Sequence, residues 1–204
     1  MAKNTAPTKG NLMAAKNTLR LSKQGYEMLD KKRNILVREM MELIEKAKKV
    51  ENRIESTFSD AYYALENANV TMGIERVQDF AQTTEIDDSV KISLRSVMGV
   101  EIPAVGISDE EKKPRYSFYS TGSALDEAFL NFNKAKQLSA ELAEIENSVY
   151  RLAVNIKKTQ KRANALSNIT IPMYEALVKS IADALDEKDR EEHTRLKKIK
   201  ERKG

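Results

Sequence analysis

Apolar side chains recur at alternating intervals of three and four residues from position 12 to position 68, which predicts one long amphipathic helix. Fourteen of the seventeen positions at this spacing hold an apolar residue or a tyrosine. A repeat of 3.5 residues kept over about eight heptads is typical of the contact line of a left-handed coiled coil. One helix of this length extends roughly 85 Å. The positions are Leu12, Ala15, Leu19, Ser22, Tyr26, Leu29, Arg33, Leu36, Met40, Leu43, Ala47, Val50, Ile54, Thr57, Ala61, Ala64 and Ala68.

Capping signals mark both ends of this first helix. Thr8 follows Pro7 and is a suitable N-cap, and Gly73 predicts the end of the helix. Inside the helix, Gly25 costs about 1 kcal/mol relative to alanine. Arg33 lies on the apolar contact line. We interpret its aliphatic part as packed and its guanidinium as reaching into solvent; the alternative is a polar contact that sets the register of the helices.

The middle of the chain has a different pattern. Apolar residues at even positions over 90–102 predict a half-buried strand that ends at Pro103. After a polar loop, Tyr116 and Phe118 alternate with serine in a second short strand. We therefore predict a β-hairpin over 89–121 with a long tip.

A second apolar contact line follows the predicted hairpin. Its helix begins at Ser123, with Asp126 three residues later, which resembles a capping box. Because the two contact lines have similar lengths and a compact segment joins them, we predict antiparallel helices whose facing residue numbers add up to roughly 197. The second line consists of Leu138, Leu142, Ile145, Val149, Leu152, Ile156, Thr159, Ala163, Leu166, Thr170, Met173 and Leu177.

At one level along the predicted helix pair, both helices contain a residue that disfavours helical structure. Pro172 cannot donate a main-chain hydrogen bond and crowds the carbonyl of Asn168. The predicted pairing places Pro172 opposite Gly25, which weakens the first helix. We predict a bend or a loosened turn at this height.

These patterns predict a mainly α fold, a long two-helix antiparallel left-handed coiled coil with a small central β-hairpin and a short helix (74–81) at one end. Three segments follow: an amino-terminal helix (1–73), a segment with the short helix and the hairpin (74–122), and a carboxy-terminal helix (123–204).

The side chains exclude most catalytic chemistry. The chain has no cysteine, its one histidine is His193 in a charged helical stretch, and no glycine is followed by lysine or forms a Gly-x-Gly motif. We predict no catalytic residue, no metal site and no cofactor, and thus no enzyme activity of the chain itself. We also expect no signal peptide and no membrane-spanning segment, because neither an apolar start nor a run of 18 apolar residues is present.

Charge is distributed unevenly, although the net charge is only +4. Residues 1–26 carry five Lys or Arg and no acid, and residues 195–204 carry six against one glutamate. Cations suit a helix carboxyl end but not an amino end, so the helix dipole explains only the second group. We therefore predict that the basic ends dock onto an anionic partner.

Several motifs, in this order and spacing, resemble the D subunits of the V-type and archaeal A-type rotary ATPases. They are Pro7-Thr8-Lys9 with Leu12, Leu19, Gly25, Leu29 and Lys31-Lys32-Arg33; Met98 to Pro103; Arg162 to Leu166 with Ile171-Pro172; Arg190-Glu191-Glu192; and Arg195 to Lys198. The resemblance covers nearly the whole chain. Asp30, Ala163, Ser167 and His193 depart from the residues common in the family at those positions.

The resemblance implies a central rotor shaft inside a ring of three A and three B subunits. The F subunit would bind its side, and a socket subunit would join it to the membrane ring that carries protons or sodium ions, placing the chain in the cytoplasm at the membrane periphery. We expect the catalytic-ring interface to include Lys16, Arg20, Lys23, Arg195, Lys197 and Lys198. We expect the interface with the F subunit or the socket subunit to include Ile92, Met98, Val100, Ile102, Tyr116 and Phe118.

Two other functions fit the helical pattern alone. A parallel homodimer would make the chain a scaffold or tether, and its mass in solution would reveal it. A basic coiled coil that binds nucleic acid or anionic membrane would show a steep dependence of binding on salt.

Overall fold

The computed structural model describes residues 6–83, 90–107 and 121–203. The fold is mainly α, as predicted, with long helices, one short helix and a two-stranded antiparallel hairpin. The elements in chain order are α1 (Lys9–Met72), α2 (Ile74–Thr83), β1 (Val90–Val97), β2 (Val100–Ile107), α3 (Ser123–Ala165), a π-helical turn (Leu166–Thr170) and α4 (Ile171–Lys203).

Local signals set the ends of α1. The Thr8 hydroxyl accepts a hydrogen bond from the main-chain N–H of Asn11 at 3.2 Å, which confirms the predicted N-cap. The helix ends at Met72, and Gly73 follows with a φ of +87°, a conformation that glycine adopts without steric cost. The carbonyl of Gly73 accepts the N–H of Val77, so α2 begins directly after this turn.

The chain divides into two compact units, which we call the terminal unit (Met1–Ile35 and Ile156–Gly204) and the central unit (Leu36–Asn155). In the terminal unit, Lys23 of α1 forms a salt bridge with Glu175 of α4, and Arg33 forms a hydrogen bond with Gln160 of α3. Partner numbers fall as α1 numbers rise, so the helices run antiparallel. Each pair of numbers adds up to a value close to the predicted sum.

The predicted contact lines are largely buried, but after the π turn the buried positions are shifted by one residue. In the terminal unit, Thr159 and Ala163 are buried as predicted. Met173, which the same heptad places inward, is instead 43% exposed, and Ile181 is buried with 3% exposed. Assigning Met173 to the contact line was wrong, because the π turn adds one residue and rotates the following helix by about 100°.

The central unit packs α1, α2 and α3 around small and branched apolar residues. Leu36 and Leu152 are fully buried, as are several alanines along α1. At one end, Ala68 of α1, Val77 of α2 and Leu125 of α3 form a cluster. Alanine at the contact lets two helix backbones approach closely, which leaves room for α2 against the pair.

The hairpin differs from its prediction. The chain reverses at Met98 and Gly99, whose φ angles of 50° and 75° match the two-residue turns that favour the twist of a hairpin. Val97 pairs with Val100 and Leu94 with Pro103. The predicted single strand over 90–102 and its end at Pro103 were therefore wrong, because the chain reverses at Gly99 and the second strand continues through Pro103. Most of the predicted long tip lies in residues 108–120, outside the described residues. Tyr116 and Phe118 lie outside the described residues.

Candidate partner-binding surfaces

The two units carry opposite net charges. The terminal unit has 21 Lys and Arg against 10 Asp and Glu, a net charge of +11, and the central unit has 14 against 21, a net charge of −7. The two basic ends account for +10 of the +11, because the further cations at residues 157–162 and 31–33 are nearly offset by acidic residues of the same unit. A surface of this charge attracts an acidic partner and is screened by salt.

The structure places all six predicted ring-interface residues in the terminal unit but does not bring them together. Lys16, Arg20 and Lys23 are exposed on α1, and Lys23 forms a salt bridge with Glu175 at 2.7 Å. Arg195, Lys197 and Lys198 are exposed on α4, about 20 residues beyond Glu175. At about 1.5 Å per residue they lie roughly 30 Å further along that helix. The two groups therefore form separate basic surfaces.

Sequence reasoning missed an apolar surface on α1 of the terminal unit, which we call the outer stripe. It consists of Ala14, Leu21, Met28 and Ile35, spaced by seven residues and all exposed, with Met28 at 72%. The helix pair buries a different line of α1, so the outer stripe is not part of that contact. Its signal in the sequence was a second heptad repeat, whose positions each directly precede a position of the dominant repeat and were obscured by it.

The flanks of the outer stripe are basic. Lys31 and Lys32 lie between Met28 and Ile35 on the helix, where residues three and four apart are neighbours. Residues at heptad spacing form one straight line along a coiled-coil helix. The outer stripe can therefore accept an apolar and acidic surface of a partner, such as the side or end of a helix.

In the central unit, α3 fixes the hairpin through its main chain. The carboxylate of Glu144 accepts the N–H of Val105 at 2.7 Å, and Ser148 Oγ donates to the carbonyl of Pro103 at 3.4 Å. One turn further, the guanidinium of Arg151 donates to a β2 carbonyl at 3.2 Å. Alternate residues of β2 direct their main chain away from β1, and Pro103 lies at such a position, where no N–H is needed for the ladder.

The predicted hairpin interface is divided between core and surface. Val100 and Ile102 are buried at 3% and 1% and form part of the central unit's own core. Ile92 and Met98 are exposed, at 71% and 46%. Val90 and Leu94 lie on the same exposed face of β1 as Ile92, and sequence reasoning missed both. The reversal at Gly99 explains the division, since even-numbered residues face outward in β1 and inward in β2.

The described residues contain no group of three or more His, Asp or Glu side chains that could hold a metal ion. Within the same part of the chain, no helix has the length and apolar character needed to cross a membrane.

Comparisons with known proteins extend over almost the whole chain. Residues 11–201 match the family model that describes the D subunit of ATP synthase. The chain is 48% identical over 199 residues to the V-type ATP synthase D subunit of Thermotoga neapolitana, with 98% of each chain covered. It is 33% identical to the A-type ATP synthase D subunit of Pyrococcus furiosus, covering 95% of this chain and 92% of that one. It is 35% identical to the A-type D subunit of Methanopyrus kandleri, covering 96% and 85%.

Proposed function

The chain belongs to the D-subunit family of ATP synthases, and we propose that it is the central rotor shaft of a V-type ATPase, transmitting torque between ATP hydrolysis in a catalytic ring and ion translocation by a membrane ring. The observation that carries the proposal is the match of residues 11–201 to this family, which covers the hairpin, α2, α3 and nearly all of α1 and α4. The chain acts as a non-catalytic subunit and requires no cofactor.

The paired helices suit the transmission of torque. The 64 residues of α1 extend roughly 96 Å without interruption. Side chains of one helix that insert between those of its partner couple the two helices, so that a twist applied to one is shared by the other. Two packed helices therefore twist less under load than one isolated helix.

The terminal unit is the part that we assign to the ring of A and B subunits. A single chain has no rotational symmetry, so three catalytic pairs around it would each meet a different face. The outer stripe and the basic surfaces supply such unequal faces, because apolar and basic residues lie on particular sides of α1 and α4. We assign Leu21 and Met28 to this interface together with Lys16 and Arg20.

The hairpin face is the part that we assign to the F subunit or to the socket subunit. Its exposed apolar residues are Val90, Ile92, Leu94 and Met98. They belong to the central unit, which has a net charge of −7. An exposed apolar face of this kind marks a protein interface more often than an accident of folding. The chain would thus sit at the cytoplasmic side of the membrane, peripheral to it, through its partners.

Native mass spectrometry of the chain mixed with A and B subunits tests the proposal. We expect one copy for three A–B pairs, with the F subunit adding one copy more. A chain in which Lys16 and Arg20 are both changed to glutamate should associate less well, and Lys91→Glu in the hairpin serves as the matched control. A stable homodimer without A–B binding would contradict the rotor function and favour a scaffold. Binding to DNA or to anionic vesicles alone would favour a basic coiled coil that binds polyanions.

A further inference from the structure

The π turn at Leu166–Thr170 holds one residue more than an α-helical turn. The N–H of Ile171 donates to the carbonyl of Leu166, five residues earlier, and Thr170 Oγ1 donates to the carbonyl of Ala165 at 3.3 Å. The loosened turn predicted from Pro172 is therefore confirmed. A π turn rotates the helix that follows it by about 100° relative to an uninterrupted α-helix.

The sequence of α4 contains two overlapping apolar lines, one for each phase. With the π turn in place, the line that contains the buried Ile181 consists of Ile171, Tyr174, Val178, Ile181 and Leu185, and its other four members are half-buried. Leu177 and Ala184, on the neighbouring line, are half-buried as well. An uninterrupted α-helix would instead continue the heptad of α3 and turn Met173, Leu177, Ser180 and Ala184 inward. The first line contains larger apolar side chains than the second, so it buries more area and is favoured.

Few interactions hold the π turn in place. None of its five residues is buried. Pro172 lacks the N–H that would continue the hydrogen-bond ladder in either helical form, and its ring favours the π turn because it would crowd the Asn168 carbonyl of an α-helical turn. The β-branched Ile169 and Thr170 have low helix propensity. Across the pair, Gly25 offers no side chain, and a Cβ there would lie 3.7 Å from Leu166 Cδ1. Leu166, Ser167 and Thr170 are half-buried, so the turn is packed in part, and the absence of a side chain at Gly25 leaves space beside Leu166.

We propose that the π turn is a two-position joint at which α4 rotates about its own axis by one residue. In the favoured position the turn is π-helical and Ile181 faces α1. In the minor position the turn is α-helical, and the line through Met173 and Leu177 takes its place. The joint is a property of the chain's own geometry and does not depend on the proposed function. In a rotating shaft, this joint would absorb part of the twist that the partners of the terminal unit apply to it.

Disulfide trapping can distinguish the two positions, because the natural chain has no cysteine. Lys23 and Glu175 form a salt bridge in the favoured position, so a chain with both changed to cysteine should cross-link fastest. A rotation by one residue brings position 174 to the place of 175, so Lys23→Cys with Tyr174→Cys reports the minor position. Lys23→Cys with Ala176→Cys is the matched control, since residue 176 is displaced in the opposite direction.

A chain lacking Ile169 provides the second comparison. Removing one residue lets the turn become α-helical while the favoured line of α4 stays inward, so the joint is lost. We expect the ratio of the 23–174 rate to the 23–176 rate to fall at least tenfold in this chain. The same ratio in both chains would overturn the proposal, because close approach of residue 174 would then need no rotation.

Amide hydrogen exchange on the unaltered full-length chain gives a readout that does not rely on the deletion folding. We expect residues 167–171 to exchange at least tenfold faster than the turns at 158–162 and 176–180. Equal protection of all three segments would overturn the joint. Both measurements use the chain alone, so their failure would leave the proposed assembly with A and B subunits untouched.

Discussion

Arg33 donates a hydrogen bond from Nη1 to Gln160 Oε1 at 2.8 Å, across the contact between α1 and α3 in the terminal unit. Its guanidinium also forms a salt bridge with Asp30 at 2.6 Å and donates to Asn34 Oδ1. Gln160 in turn donates to Asn164 Oδ1 at 2.7 Å. Interpreting the guanidinium as free in solvent was therefore wrong, and the contact is of the kind that fixes register in a helix pair.

Replacing Arg33 by methionine should affect the register and oligomeric state of the helices more than the free energy of unfolding. Methionine fills the same space on the contact line. The ion pair of Arg33 with Asp30 is about a third exposed, and ion pairs in contact with solvent contribute roughly 0–1 kcal/mol, so we expect the free energy of unfolding to change by less than about 1 kcal/mol. Sedimentation velocity should nevertheless show additional oligomers, because a polar residue on the contact line specifies the oligomeric state together with the register. Lys31→Met, at an exposed site of the same helix, is the control. A single species for Arg33→Met would show that Arg33 does not select the register.

Alanine at Gly25 should stabilise the chain. The added Cβ lies at ordinary contact distance from Leu166 Cδ1, and alanine favours the helix by about 0.5–1 kcal/mol. Gly73→Ala should act in the opposite direction by about 1 kcal/mol or more, because its φ of +87° is unfavourable for any side chain. Thermal and urea unfolding measure both changes. A loss of stability for Gly25→Ala would mean that the helices pack too closely at Gly25 and Leu166 to accept a Cβ.

Two isoleucines of the hairpin should respond differently to truncation. Ile102 is 1% exposed, so Ile102→Ala should lower the free energy of unfolding by about 2–5 kcal/mol. Ile92 is 71% exposed, so Ile92→Ala should change it by less than about 0.5 kcal/mol. The matched pair is compared by urea unfolding. Similar losses for both variants would refute the assignment of opposite faces to β1 and β2.

Serine at both Leu21 and Met28 should weaken assembly without weakening the fold. Both side chains lie on the exposed outer stripe, so unfolding should change by less than about 0.5 kcal/mol for each. Association with A–B pairs should fall at least tenfold, and the loss should persist at high salt because burial of apolar surface is not screened. Met41→Ser, exposed on α1 in the central unit, is the control. Unchanged association would exclude the outer stripe from the interface.

Association through the basic surfaces should depend on salt, unlike association through the outer stripe. Changing Lys16 and Arg20 to glutamine removes two exposed cations of the terminal unit, so association should weaken most at low ionic strength. The difference from the parent chain should shrink as salt is raised from about 50 mM to about 500 mM, where exposed charges are strongly screened. Surface plasmon resonance on immobilised A–B pairs measures this dependence. A constant difference across the salt range would indicate a contact that is not electrostatic.

The features that the sequence determined by itself are those that depend on neighbouring residues along the chain. The periodicity marked both contact lines, Thr8 and Gly73 marked the ends of α1, and Pro172 marked the irregular turn. Antiparallel pairing followed from the lengths of the segments. The order of the motifs was sufficient to indicate the family, and each of these inferences rests on short-range geometry that a helix repeats at every turn.

Other features depend on which residues distant in sequence come into contact, and packing between the elements settled them. Periodicity identified apolar positions in 90–102 but could not place them on one face, because a single turn at Gly99 inverts the faces. It could not assign Gln160 to Arg33, nor show that the basic group on α4 lies far from the one on α1. Burial of Ile181 instead of Met173 required the extra residue of the π turn. Sequence patterns show which face of each element is apolar. Packing between the elements determines which other element covers that face and which of its residues point inward.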